Sequence, residues 1–321
     1  MIFVYFLLVI VGFGVTIKGA DFLVDGASAL AKKFGISEIV IGLTIVALGT
    51  SAPEMVVNVF SSINGKDELI LGNIIGSNLF NTLVILGIAA FIYPITVKKA
   101  TALFEIPYSF LATVAVAVLA NDLILRGGSS NTLTRVDGFI LFGFFIIFIL
   151  YVVRMTLKDM SDDEEGIHDM SFKKSALLIL AGMLGLMLGG KLVVDNAIQV
   201  AQFFHVSEAM IGLTILAAGT SLPELVTAVV AAKKKKSDIV IGNVIGSNIF
   251  NVFLVLSTSA VIAPITFKEA LNIDLLVLGL GGLFIFIFMF LGKKDRVIDK
   301  KEGLFLLLLY LTYFVYMMIR M

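Results

Sequence analysis

The 321-residue sequence has no cysteine, no tryptophan, two histidines and five prolines. The absence of cysteine excludes disulfides, thiolate metal sites and cysteine nucleophiles. Two histidines, with no His cluster, Ser/His pair or zinc motif around them, leave little for imidazole chemistry, so an enzyme is not expected. Charge is scarce too. Only 15% of residues are charged, and 24 basic side chains balance 24 acidic ones. A net charge of zero gives no reason to expect a nucleic-acid partner.

In place of these residues the chain carries hydrocarbon: 59% of residues are hydrophobic and the mean hydropathy is +1.05. At roughly 20 apolar residues per crossing, such a composition fills about ten spans and excludes an ordinary soluble domain. We therefore expect an all-α polytopic membrane protein surrounded by lipid. Gly, Pro and charge place spans near 2–31, 36–62, 69–93, 100–120, 136–157, 172–203, 206–232, 238–263, 270–292 and 303–320. The first apolar run, Met1 to Ile17, lacks a basic start and a small-residue cleavage site, and reads as a first membrane helix instead of a removed signal.

The placement of Lys and Arg sets the expected orientation. Loops after the odd-numbered spans hold seventeen, including Lys32, Lys33, Lys98, Lys99, Arg154, Lys158 and the run Lys233 to Lys236. The other side holds five: Lys66, Arg126, Arg135, Lys268 and Arg320. The positive-inside rule puts the first set in the cytoplasm and both termini outside a cell (inner) membrane. The polar stretch 158–171 then separates a first five-span unit, 1–157, from a second, 172–321.

Those units repeat at an offset of 170 residues. ISEIVIGLTIVALGTSAPE (36–54) matches VSEAMIGLTILAAGTSLPE (206–224) at 13 of 19 positions, and GNIIGSNLFN (72–81) matches GNVIGSNIFN (242–251) at 8 of 10. The shared residues include Gly, Thr, Ser, Pro, Glu and Asn, which drift within Leu/Ile/Val sequence does not supply. Five is an odd number, so two such units lie in opposite orientations. Inverted repeats of this kind belong to transporters with midplane sites on interrupted helices.

The repeated residues carry chemistry. Pro53 and Pro223 cannot donate to the carbonyls of Gly49 and Gly219, which leaves either a simple kink or backbone oxygens open to a cavity. Beside them stand Glu54 and Glu224. A charge at that depth costs about 2.5–3.5 kcal/mol on insertion scales, and spans 2, 3, 7 and 8 contain no Lys or Arg to neutralise it. A cation from solution is the missing countercharge. Helical spacing gathers Ala47, Thr50 and Glu54 on one face, Ser77 and Asn81 on another, and repeats both with Ala217, Thr220, Glu224, Ser247 and Asn251. All are oxygen donors, the ligand class that suits Ca²⁺ with its about six to eight adaptable oxygens. Na⁺ is of similar size and competes for the same carboxylates. Gly72, Gly76, Gly242 and Gly246 read either as close-packing faces or as further helix interruptions.

At these residues the chain resembles the cation/calcium exchanger superfamily, in its sodium/calcium exchanger branch. GTSAPE (49–54), GTSLPE (219–224) and the two Gly-Asn-x-Ile-Gly-Ser-Asn segments are similar to that family's alpha-repeats. The resemblance implies ten transmembrane helices in two inverted repeats, with Na⁺ and Ca²⁺ as transported ions and no cofactor. It implies that Glu54 and Glu224 are the central ligands. Thr50, Thr220, Ser51, Ser221, Ser77, Ser247 and the carbonyls of Ala47 and Ala217 would complete the ion sites, with Asn81 and Asn251 flanking them. Spans 1 and 6 would slide across the other eight to switch access. Potassium-dependent relatives carry an acid where Asn251 stands, so the amide argues against potassium dependence. Calcium/proton exchangers of the superfamily use a Gly-Asn-x-x-Glu pattern that is absent here.

The main expectation is therefore a Na⁺/Ca²⁺ antiporter. Ca²⁺/H⁺ exchange through the same two carboxylates is the alternative, and a cation channel a more distant one. SDDEEGIHD (161–169) reads as a solvated linker, Lys233 to Lys236 as a topology signal that meets anionic lipid, and the Phe-rich spans 5 and 9 as lipid-facing bulk. Lys191 is spaced to pair with Asp195.

Overall fold

Apolar runs fold into helices wherever glycine, proline or charge does not interrupt them, and the computed structural model describes residues 2–123, 130–161, 171–205, 217–291 and 296–320. In chain order the helices are α1 (Ile2–Lys33), α2 (Glu38–Thr50), α3 (Ala52–Ile63), α4 (Asp67–Ile92), α5 (Lys99–Leu119) and α6 (Arg135–Ser161). The second half adds α7 (Phe172–Phe203), α8 (Ala217–Thr220), α9 (Leu222–Lys233), α10 (Ser237–Ile262), α11 (Leu271–Leu291) and α12 (Lys300–Arg320). Eight of the described helices are long and apolar enough to cross a membrane. The bent pair α2/α3 makes a ninth if counted as one span. The expected span 206–232 begins at 206–216, outside the described residues, and continues as α8 and α9. The acidic linker 161–169 also falls outside them from residue 162 onward.

α4 and α10 form the centre: 72% and 94% of their most apolar stretches are buried, against 11% for α12 and 17% for α1. The outer helices turn Phe3, Leu7, Ile10, Leu177, Leu188 and Leu311 outward, as lipid-facing surfaces do. The Phe-rich α6 departs from expectation. Phe148 is buried, and Phe144, Phe145 and Phe148 pack their rings on Phe250 and Phe253 of α10. A phenylalanine every three or four residues gives one helix both a lipid face and a packing face.

The fold is all-helical apart from two short antiparallel bridges between its loops. β1 (Ile95–Thr96) pairs with β4 (Val297–Ile298), and β2 (Thr132–Leu133) with β3 (Ile265–Thr266). Their origin is local. Tyr93 and Ala263 precede Pro94 and Pro264, and a residue before proline is driven out of the helix into extended conformation. β-branched Ile-Thr then continues the strand.

Contacts between loops sort into two groups. In one, Ser37 Oγ donates to Asp159 at 2.6 Å, Lys98 pairs with Asp238 at 2.7 Å, Lys236 pairs with Glu38, and β1 meets β4. In the other, the Thr266 amide donates to Asp67 at 2.9 Å, Asn121 and Asn272 exchange hydrogen bonds at 2.8 Å, and β2 meets β3. The repeat is visible in the backbone too. The turn that closes α3 through Gly65 (φ +63°) recurs after α9 through Lys235 (φ +60°), and Lys66 and Lys236 each donate back five residues at 2.9 Å.

α1 and α7 are the longest helices and run antiparallel, packed on glycine. A Cβ on Gly19 would lie 2.7 Å from the Leu186 nitrogen, and one on Gly182 2.6 Å from the Leu23 nitrogen. Gly12 faces Gly189 and Gly26 faces Ser175 in the same register. Backbones that close allow one crossing only. Lys191 pairs with Asp195 at 2.9 Å as its spacing predicts, and Asp21 and Asp25 bind Lys234 at 3.2 and 2.7 Å. Gly182→Ala should therefore lower the unfolding temperature in detergent, because overpacking costs about 1–3 kcal/mol. Gly14→Ala, with nothing described within 4 Å of the new Cβ, should leave it unchanged.

Candidate functional site

Two broken helices and two central helices build the site. The chain leaves α2 at Thr50, passes Ser51 (φ −82°, ψ 6°) and re-enters a helix at Ala52, with a bend of 48°. Ser221 (φ −85°, ψ 6°) makes the same joint between α8 and α9. Pro53 and Pro223 sit in the first turns of α3 and α9, where a missing N–H leaves no gap in that helix. The loss falls on the preceding turn, so the expected interruption is present in both halves. The α1/α7 pair lies over these joints: Met183 packs at Gly49, Val194 at Gly219 and Pro223 at Gly190.

Glu54 and Glu224 are fully buried. Each offers one carboxylate oxygen to two serines, one from each half. Ser221 (3.5 Å) and Ser77 (3.4 Å) donate to Glu54 Oε1, and Ser51 (3.1 Å) and Ser247 (3.4 Å) donate to Glu224 Oε1. The second oxygen of each, Oε2, is buried without any hydrogen-bond partner. The threonines also reach across the halves: Thr50 donates to Asn243 Oδ1 at 3.0 Å and Thr220 to Asn73 Oδ1 at 3.1 Å. Thr50 and Asn243 are buried, whereas Thr220 and Asn73 are half-buried.

Asn81 and Asn251 lie where α4 and α10 widen into π-helical turns, at Phe80–Ile85 and Asn251–Leu256. Such turns rotate the face that follows them and recur at functional sites. Both amide nitrogens are engaged, and both amide oxygens, Asn81 Oδ1 and Asn251 Oδ1, are buried and unpartnered. The site thus holds four buried oxygens with nothing to accept from, arranged as two equivalent pairs. Buried polar atoms are normally satisfied, and these four are not. Among the described residues there is no cluster of three or more His, Cys, Asp or Glu, which leaves two carboxylates as the fixed charge.

The structure brings Thr50, Ser51, Glu54, Ser77, Thr220, Ser221, Glu224 and Ser247 into this cluster, with Asn81 and Asn251 beside it. The Ala47 carbonyl accepts from the Ser51 amide at 2.9 Å and lies 3.3 Å from Thr50 Oγ1, whose one proton has its shorter contact with Asn243. Ala217 opens α8. Asn73, Asn243, Asn78, Asn248 and Asn58 were not anticipated. The first four recur at the offset of 170 inside the two Gly-Asn segments, and that recurrence was the available signal. Asn58 has no such partner, since Ala228 occupies the equivalent position. It accepts from Asn73 Nδ2 at 2.8 Å, while Asn243 Nδ2 donates instead to the Glu224 carbonyl at 3.1 Å. Among the glycines, Gly242 and Gly246 pack against Gly42, Leu43 and Ala47, whereas a Cβ added at Gly72 or Gly76 would meet nothing described within 4 Å.

The profile of the sodium/calcium exchanger protein family matches residues 4–154 and 174–319. The chain is 37% identical to an inner membrane protein of Escherichia coli, YrbG, over 80% of its own length and 79% of that protein. It is 31% identical to the sodium/calcium exchanger MaX1 of Methanosarcina acetivorans, covering 98% and 99% of the two chains. A structure of the sodium-calcium exchanger NCX_Mj, soaked with Na⁺ and Sr²⁺, superposes with a TM-score of 0.82 at 32% identity and covers 97% of this chain and 98% of that one. Within the site, Asn58→Leu should leave Asn73 Nδ2 without its acceptor, at a cost of about 1–3 kcal/mol. A fall of several degrees in unfolding temperature would record it.

Proposed function

The chain belongs to the sodium/calcium exchanger protein family and is a multi-pass membrane cation antiporter; from that premise we propose that it exchanges Na⁺ for Ca²⁺ at one site between Glu54 and Glu224. The observation that carries this reading is the set of four buried, unpartnered oxygens: Glu54 Oε2, Glu224 Oε2, Asn81 Oδ1 and Asn251 Oδ1. Two carboxylates neutralise one divalent cation. The hydroxyls of Ser51, Ser77, Ser221 and Ser247 stand against those carboxylates and bring the available oxygens to about the number Ca²⁺ takes. Thr50 and Thr220, with the carbonyls of Ala47 and Ala217, complete the same cage from its edge.

Exchange follows from charge. A carboxylate stripped of its countercharge in a low-dielectric interior costs several kcal/mol, so the site passes between sides only when loaded. Ca²⁺ and Na⁺ each satisfy it and compete for it. The α1/α7 pair, joined through glycine and lying over both joints, is the element that would slide to change access.

We further propose ten crossings in two inverted units, with both termini outside an inner membrane. The two groups of loop contacts support this: Ser37, Lys98, Asp159, Lys236 and Asp238 all follow odd-numbered crossings, while Asp67, Asn121, Thr266 and Asn272 all follow even-numbered ones. No described loop contact joins the two groups.

In vesicles loaded with Na⁺, the purified protein should take up radioactive Ca²⁺ against a Na⁺-free medium, and the uptake should vanish when Na⁺ is equal on both sides. Glu54→Gln or Glu224→Gln should abolish it, and Glu164→Gln should not. Uptake that follows a pH gradient and ignores Na⁺ would establish the proton-coupled alternative. Flux without countertransport would indicate a channel.

A further inference from the structure

An asparagine can face a cation with its oxygen or with its NH₂ group, and the two choices have opposite signs. Asn81 and Asn251 both leave the oxygen unpartnered, and each is held that way by an asparagine from the other half. Asn251 Nδ2 donates to Asn78 Oδ1 at 3.0 Å, and Asn81 Nδ2 donates to Asn248 Oδ1 at 3.2 Å. The holders are themselves fixed. Asn78 Nδ2 donates to the Asn248 carbonyl at 3.2 Å, and Asn248 Nδ2 donates to Thr82 Oγ1 at 2.8 Å. All four amides are buried, away from water that would supply substitute partners.

We propose that Asn78 and Asn248 are positioning residues for cation binding, each acting across the repeat boundary: Asn78 orients Asn251, and Asn248 orients Asn81. This deepens the exchange reading and rests on it. The two anchors differ. Asn78 is anchored on a main-chain carbonyl, that of residue 248, whereas Asn248 depends on the Thr82 side chain, whose counterpart in the second half is Val252. Loss of Thr82 therefore releases one arm of the cage only, that of Asn81. Coupling between the halves follows as well, because α4 and α10 cannot shift against each other without turning both ligand amides.

Equilibrium binding of radioactive Ca²⁺ to the purified protein tests this. Removing a group that orients a metal ligand weakens binding by about 10- to 100-fold, and Asn78→Ala and Asn251→Ala are each expected in that range. Combined, they should cost no more than the larger single change, because one acts through the other. The uncrossed pair, Asn78→Ala with Asn81→Ala, should instead multiply. Thr82→Val introduces the side chain already present at 252, so it tests the idea with little risk to folding. It should weaken Ca²⁺ binding in the parent protein and in Asn251→Ala, and do nothing further in Asn81→Ala. Multiplicative losses for Asn78 with Asn251, or an effect of Thr82→Val that survives Asn81→Ala, would overturn the assignment. Ca²⁺ binding left intact by Glu54→Gln would instead overturn the exchange site itself.

Discussion

The structure depends on two glutamates that are only half satisfied. Each is fully buried, each gives Oε1 to a pair of serines, and each keeps Oε2 without a partner. A fold that merely tolerated these acids would have closed the second oxygen with a lysine, an arginine or a further hydroxyl. Among the described helices that form the site the one basic residue is Lys233, in the last turn of α9, nine residues along the helix from Glu224. Placing an acid there is unfavourable for folding and useful for transport: the stability withheld from the bare protein becomes available to whatever cation enters.

Duplication solves the geometric problem this creates. Each half supplies one carboxylate, and in the proposed inverted arrangement the two would face a common centre. The halves are laced together at the site itself: Ser51 reaches Glu224, Ser221 reaches Glu54, Thr50 reaches Asn243, and Thr220 reaches Asn73. Neither half can form the cage alone. Beside this laced centre the two long helices α1 and α7 pack on each other through glycine.

Much of this was legible in the sequence. Pro53 and Pro223 announced the breaks because proline removes a specific hydrogen bond, and Glu54 and Glu224 announced the charge because no apolar span carries an acid without cause. Thr50, Thr220, Ser77 and Ser247 followed from helical spacing and the offset of 170, and Ser51 and Ser221 from the family resemblance alone. The asparagine lattice did not, although its members repeat. An amide is donor and acceptor at once, and which end faces the centre depends on a partner about 170 residues away. Proline frees the oxygen four residues before it, at Gly49, whereas the Ala47 carbonyl still accepts from the Ser51 amide and keeps a second lone pair. The burial of Phe148, the short strands after Pro94 and Pro264, and the capture of Lys234 by Asp21 and Asp25 all depend on which helices become neighbours. Periodicity describes a helix face and is silent about what covers it.

The central claim is that a bare cation belongs between the two glutamates. Diffraction from crystals soaked in a heavy divalent ion that mimics Ca²⁺, recorded at that ion's absorption edge, measures this directly. The account predicts an anomalous peak at about 2.3–2.6 Å, the distance of a Ca²⁺–oxygen bond, from Oε2 of both Glu54 and Glu224. A centre devoid of anomalous density at saturating ion, or a peak bound to only one of the two carboxylates, would contradict it.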